Sequence, residues 1–447
     1  MIIRRLTGLA VAAVLMATTL ATPASAAGTT TDLGVSLTYG SSSGDLAVGG
    51  GKVFVSAEDR IIVTNAQGDL TGSIAGLSSV YGLAAKADGS SLYAAMAGSN
   101  QVAEIDTGTL EIKRRIDLPE HPCPTSLALT GERLWVGYGC FDRFQGGFLA
   151  LDLAATSPTP VAIGLGLHSA PKVVAAGDTL VVGEVTGVPA DLIVYDISGP
   201  TPTLRGKIDG ETQDQSEVRD LALTSDGTHV ISAFDTPYRF DTWNTTTLSR
   251  ARRYGQRHEA FPTGLAISPG DAYVAGGRDW NTDVTVYEAA TGATVFSGDN
   301  PAGRFVTGGL AFSGTNLYAL LRGSGDQLHL WRIEDITRTP SSLTLTAPSD
   351  AVRSKPLTVT GKLTLSDGTE PGAQQLIVTR RRIGDGATQH LPAVTTSANG
   401  TFTITDTPPE AGSTTYTATW EGNTNYNGST GTVIFPVKND SSPQAPR

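Results

Sequence analysis

The chain is 447 residues long, 39% hydrophobic and 17% charged, with a formal net charge of −11. An acidic surplus of that size repels phosphate backbones, which argues against nucleic acid as a partner. Beyond the first 26 residues no stretch is apolar enough to span a membrane, and the two cysteines form no C-x-x-C pair of the redox or metal-binding kind.

The chain opens with Arg4 and Arg5, continues through an apolar run from Leu9 to Leu20, and reaches the small residues Ala24-Ser25-Ala26. This is the pattern of a secretory signal peptide over residues 1–26, cleaved after Ala26. Sec export is expected, because the polar and aromatic context of a twin-arginine signal is missing. Removing the segment takes away two arginines and no acid, so the charge moves from −11 to −13. From Ser341 on, eight basic residues balance eight acidic ones, which leaves the surplus on the part before it. The expected location is extracellular, and an Arg to Lys ratio of 24 to 8 is compatible with a high-GC bacterial source.

Seven times a Leu or Val is followed by Ala in a short apolar strand: Leu46-Ala47, Leu83-Ala84, Leu127-Ala128, Val174-Ala175, Leu221-Ala222, Leu265-Ala266 and Leu310-Ala311. The copies lie 37 to 47 residues apart, the period of a four-stranded propeller blade. After each comes a turn, a second β-rich strand such as Leu134-Trp135-Val136, and a third such as Ile193-Val194-Tyr195-Asp196. Short β-branched runs punctuated by Gly, Asp and Pro specify an all-β chain. The seventh copy has no clear fourth strand. Asp32 to Thr38 is expected to supply it, closing the ring and covering an edge that would otherwise pair with other chains.

The runs Leu83-Ala84-Ala85-Lys86-Ala87-Asp88-Gly89, Leu221-Ala222-Leu223-Thr224-Ser225-Asp226-Gly227 and Leu265-Ala266-Ile267-Ser268-Pro269-Gly270 carry a resemblance to the seven-bladed propellers with YVTN-type repeats, also called YncE-like. That resemblance implies a seven-bladed β-propeller over 27–338 and is nearly silent on chemistry. The turns Gly49-Gly50-Gly51 and Gly177-Asp178 depart from its Pro-Asp-Gly type.

Cys123 and Cys140 flank a hairpin turning at Gly131-Glu132. If Thr130 faces Arg133, facing residues sum to 263, as 123 and 140 do, so an oxidising compartment predicts a disulfide there.

From Ser341 the composition shifts to Thr-, Ser- and Pro-rich alternation, with six or seven short strands expected over 341–438 and a polar tail over 439–447. That fits a small β-sandwich. The stretch Tyr416-Thr417-Ala418-Thr419-Trp420-Glu421-Gly422 resembles the Ig-like modules repeated in bacterial extracellular proteins, which implies a spacer or adhesive role.

Chemistry is expected on the face carrying the longer loops, 138–147, 183–191, 209–220, 234–239, 254–263 and 276–283, because length beyond what a connection demands is where function usually sits. Asp142, Arg143, Phe144, Tyr238, Arg278, Asp279 and Trp280 supply contact area and charge for a ligand there. His121, His168 and His258 precede first strands, yet no cofactor or metal is expected from them. No G-x-S-x-G elbow, Walker loop, H-E-x-x-H helix or EF-hand loop occurs. The reading is a monomeric, non-catalytic secreted scaffold that recognises an extracellular protein, peptide or cell-wall polymer. The alternative is a lyase or hydrolase at the channel mouth, using His258, Glu259, Arg219 and Asp220.

Overall fold

A computed structural model describes residues 28–38, 44–141, 144–236, 238–255, 261–279, 283–348, 350–384, 387–423 and 425–440. The expected signal peptide and the last seven residues of the expected tail lie outside them. Two compact units divide the described chain, one ending at Arg338 and one beginning at Thr339.

The first unit is built from four-stranded antiparallel sheets in chain order: 46–74, 80–117, 124–167, 172–208, 216–254 and 262–299, and a seventh that joins 304–333 to Gly28–Ser36. Each Leu-Ala or Val-Ala copy lies in the innermost strand of one sheet, from Leu46–Gly49 through Arg304–Ser313. These strands pack on one another in succession. Leu46–Gly49 lies against Val80–Ala85, then come Pro124–Thr130, Lys172–Ala176, Ser216–Leu223, Pro262–Ile267 and Arg304–Ser313, and the last lies against Leu46–Gly49 again.

There is accordingly no single core. Apolar side chains fill a wedge between each pair of successive sheets, such as Tyr93 and Val102 with Leu134 and Val136, or Val181 and Val194 with Val230 and Trp243. Second strands are covered on both faces and read as unbroken apolar runs; Ser91–Met96 is buried at every position. Outer strands such as Val161–Leu167 are largely open to solvent and carry a weaker pattern.

The N-terminal strand pairs antiparallel with Gln327–Ile333, Gly28 facing Ile333 and Thr31 facing Leu330. It begins four residues before the expected Asp32, because Thr29, Thr30 and Thr31 extend it, and it is broken where the Asp32 carboxylate accepts from Gly34 N–H.

Cys123 and Cys140 are joined, with their Cα atoms 5.0 Å apart. The ladder holds the expected register from Thr130 opposite Arg133 to Ser126 opposite Gly137, then slips by one so that Pro124 faces Tyr138. The cysteines are therefore not directly opposed, and the bridge spans a bulge at the open end of the hairpin.

The second unit has a three-stranded sheet (Ser341–Thr346, Leu357–Leu365, Thr401–Asp406) and a four-stranded one (Thr388–Thr395, Gln375–Arg382, Gly412–Gly422, Asn427–Val437). They share one core that includes Val359, Leu363 and Ile404 from the first and Val378, Tyr416 and Trp420 from the second. Asp406 accepts from both Arg380 and the Tyr416 hydroxyl, an ion pair and a hydrogen bond that tie the sheets together.

Candidate functional site

In a four-stranded meander the second-to-third connections and those between sheets leave by one side of the unit. The expected contrast in loop length between the sides is partial. The 57–60 connection on that side is tight, whereas 152–161 on the opposite side is long.

The innermost strands begin on that side, and their first residues enclose a cavity of about 380 Å³. Asp45, Tyr81, Ser126, Lys172, Arg219 and Thr307 reach it from six of the sheets, so it is the mouth of the space the innermost strands surround.

An innermost strand has no ladder partner on its inner edge, and its first N–H groups need acceptors. Asp45 and Asp220 meet that need in the same way. Asp45 Oδ1 accepts from Leu46 N–H at 2.9 Å and Oδ2 from Leu83 N–H of the next sheet at 2.8 Å. Asp220 Oδ1 accepts from Leu221 N–H at 3.0 Å and Oδ2 from Leu265 N–H of the next sheet at 2.8 Å. Ser126 does the same with its hydroxyl, accepting from Val173 N–H at 3.0 Å. Each of these side chains clasps two sheets.

Lys172 joins the two carboxylates. Its Nζ stands 3.5 Å from Asp220 Oδ1, and a Cβ added to Gly308 would lie 3.2 Å from that Nζ and 3.9 Å from Asp45 Oδ1, so Gly308 leaves the gap between them. Burial raises the Asp45 carboxyl from its ordinary 3.8 to about 6, against the pull of Lys172 and the two N–H groups. Burial raises Asp220 as well. Burial opposes the Lys172 charge, yet Asp220 and Asp45 together hold its ammonium above the ordinary lysine value.

The sign for stability follows. Between about pH 4 and pH 6 the folded chain holds a proton on Asp45 that the unfolded chain has released, so this group's contribution falls as pH rises through that window. Relative to an Asp45→Asn variant, the parent is expected to lose on the order of 2 kcal/mol across it. Urea unfolding of both proteins from pH 4 to pH 7 measures the difference; a constant gap would show that Asp45 does not titrate there.

Arg219 lines the cavity but is held by Glu217 at 2.8 Å and Asp235 at 3.0 Å, and both Asp220 oxygens serve backbone N–H groups. His258, Glu259, Asp142, Arg143 and Trp280 lie outside the described residues.

Arg278 is buried. It is 2% exposed, donating to Thr285 Oγ1 at 3.0 Å and the Tyr287 hydroxyl at 2.7 Å, with its guanidinium 5.1 Å over the Phe240 ring. It ends the strand Tyr273–Arg278 and turns inward onto Phe240 of the neighbouring sheet. Asp279 is engaged by both nitrogens of an Arg304 fork, at 3.0 and 2.8 Å. Tyr238 packs edge-on against Phe261. His121 packs edge-on against Tyr138, and His168 lies against Phe144 with its Nδ1 3.1 Å from Thr186 Oγ1. Among the described residues no group of three His, Cys, Asp or Glu side chains is placed to hold a metal ion.

Phe141 lines the cavity, and Phe144 and Val188 are exposed on the loops of the third and fourth sheets whose neighbouring residues Cys140 and Val185 line it. Phe141 is 75% exposed, Phe144 67% and Val188 75%. Thr186 binds both His168 and Ser169 at 3.1 Å, which locks the loop carrying Val188 to the segment on which Phe144 rests. The Asp45–Lys172–Asp220 cluster was not expected from sequence. Its one visible signal is the repeated Asp-Leu-Ala of the first and fifth copies.

No family model and no curated protein matches the chain. Among solved structures, a chain of a mitotic checkpoint complex is similar at 16% identity with a TM-score of 0.55, covering 74% of this chain and 98% of that one. The β-propeller domain of Myceliophteria thermophila Cps50 (Swd1) is similar at 13% identity with a TM-score of 0.52, covering 68% and 99%. Kuenenia stuttgartiensis hydrazine synthase is similar at 16% identity with a TM-score of 0.51, covering 64% and 94%. Likeness at these identities is likeness of fold. The first unit is a β-propeller built of blade-like sheets.

Proposed function

We propose that the first unit is a closed seven-bladed propeller of the YVTN type, that the second is an Ig-like spacer, and that the secreted chain is a non-catalytic scaffold recognising an extracellular protein or peptide through the cavity mouth. The return of the last innermost strand to the first supports a closed ring. The observation that carries the recognition reading is exposed Phe141 lining the cavity, with Phe144 and Val188 also exposed on loops of the third and fourth sheets. Solvent-facing aromatics around a concavity are the usual anchors of an interface. Arg219 and Asp220, engaged in ion pairs and backbone clasps, favour a scaffold over an enzyme.

The test is to immobilise residues 27–447, identify what the producing cell's secreted proteins leave bound, and measure its affinity for the parent and for a Phe141→Ala/Phe144→Ala variant. Removing two exposed aromatic anchors is expected to weaken binding about ten-fold or more with the urea midpoint unchanged. Equal affinity for both, or retention of a wall polymer by the second unit in place of a protein at the mouth, overturns the reading.

A further inference from the structure

A second concavity, of about 510 Å³, lies on the fifth sheet beside the single helical turn Gly210–Gln213. Arg239, Arg250 and Arg253 line it, and each has its Nε near one carboxylate, that of Asp241, which is 1% exposed. The distances are 3.0, 3.4 and 3.7 Å respectively.

One carboxylate does not balance three guanidinium groups. Asp214 at the edge of the concavity reduces the surplus but leaves it positive, in a unit whose own surplus is strongly negative. Only Arg239 Nε hydrogen-bonds the Asp241 carboxylate, and Arg250 Nε is buried without a hydrogen-bond partner. Arg250 Nη2 is fixed by Gln213 Oε1 at 2.7 Å, and its guanidinium plane lies 4.7 Å over the Trp243 ring. Among the described residues the outer nitrogens of Arg239 and Arg253 have no hydrogen-bond acceptor, although the Arg239 side chain is only 10% exposed. These outer nitrogens are not sealed inside the protein, so an anion entering the concavity can reach them. Burial first, and then the neighbouring Arg253 and Arg239, hold Arg250 below the ordinary arginine value against the pull of Asp241.

We infer that Arg239, Arg250 and Arg253 form a binding site for a tetrahedral oxyanion, the phosphate or sulfate group of a small ester. A flat carboxylate is served by one guanidinium fork; donors arriving from two separate forks suit a group with three or more oxygens. The acidic surroundings disfavour a long polyanion, so the charged group belongs to a compact ligand. The concavity exceeds the bare ion and leaves room for the organic part. This site does not depend on the cavity mouth having a partner.

Calorimetric titration of residues 27–447 in phosphate-free buffer of low ionic strength, with inorganic phosphate, sulfate, glycerol 3-phosphate and acetate as separate ligands, tests the inference. Saturable binding of phosphate or sulfate at one site is expected, with acetate at least about ten-fold weaker. A better fit of glycerol 3-phosphate than of inorganic phosphate identifies an ester; the reverse identifies the free ion as the ligand and overturns the ester assignment. Arg253→Gln, at a half-exposed position that tolerates change, is expected to weaken phosphate about ten-fold, and Arg239→Lys to do so while retaining charge but not the fork. Absence of saturable binding by the folded parent, equal affinity for acetate, or affinity unchanged in folded Arg253→Gln overturns the proposal.

Discussion

Asp220→Ala is expected to destabilise the first unit by about 3–5 kcal/mol, the cost of stripping one partner from a buried charge pair. The substitution removes the acceptors of Leu221 and Leu265 N–H, and so the clasp between the fifth and sixth sheets, and it leaves the Lys172 ammonium with Asp45 alone. Urea unfolding read at the tryptophans of the first unit measures it; the two units need not unfold together, so a whole-chain signal would blur the difference. Adding Lys172→Met to Asp220→Ala is expected to recover part of the loss, because the ammonium that has lost its ion-pair partner is then gone. A midpoint unchanged by Asp220→Ala would mean that water supplies these N–H groups as well as the carboxylate does.

Trp243→Ala is expected to cost about 3–5 kcal/mol, as for other large-to-small changes at buried aromatics. Trp243 is fully buried in the wedge between the fourth and fifth sheets, and its indole N–H donates to Ser232 Oγ at 2.9 Å. Losing it opens a cavity and removes the donor to the Ser232 hydroxyl, which keeps its own bond to the Asp241 carbonyl at 3.2 Å. It also removes the surface on which Arg250 lies, so phosphate affinity is expected to fall together with stability. Trp243→Phe keeps a ring under Arg250 and should cost roughly 1–2 kcal/mol, mainly through the lost hydrogen bond and volume. Denaturation and calorimetry on the same samples separate the two effects. Full stability in Trp243→Ala would contradict the packing described.

The repeat was legible because a ring of sheets imposes the same local demand at each step: a small residue beside a branched one where innermost strands crowd together, then a doubly covered strand. Leu83-Ala84 and Leu221-Ala222 answer one geometric question twice. The clusters were less legible. Asp45, Lys172 and Asp220 are far apart in sequence and converge only when the innermost strands enclose a common space. Arg250 and Arg253 stand an odd number of places apart, so strict alternation would send them to opposite faces. The register shift that seats Trp243 opposite Arg250 and Asp241 opposite Arg253 brings them to the same one. A similar one-residue slip displaced the cysteines from the ladder without preventing their bond. The burial of Arg278 was not legible, because a polar side chain at a strand end looks solvent-facing until the neighbouring sheet covers it.

The pairing of Gly28 with Ile333 has a mechanical consequence. Tension applied across these two residues acts at one end of an antiparallel ladder and perpendicular to its strands. The bonds then load one after another, and the sheet peels open at low force. Tension along the strands would instead load the whole ladder together. The seam through which the chain begins and finishes its circuit is therefore the place where the ring yields first, and it yields by unzipping.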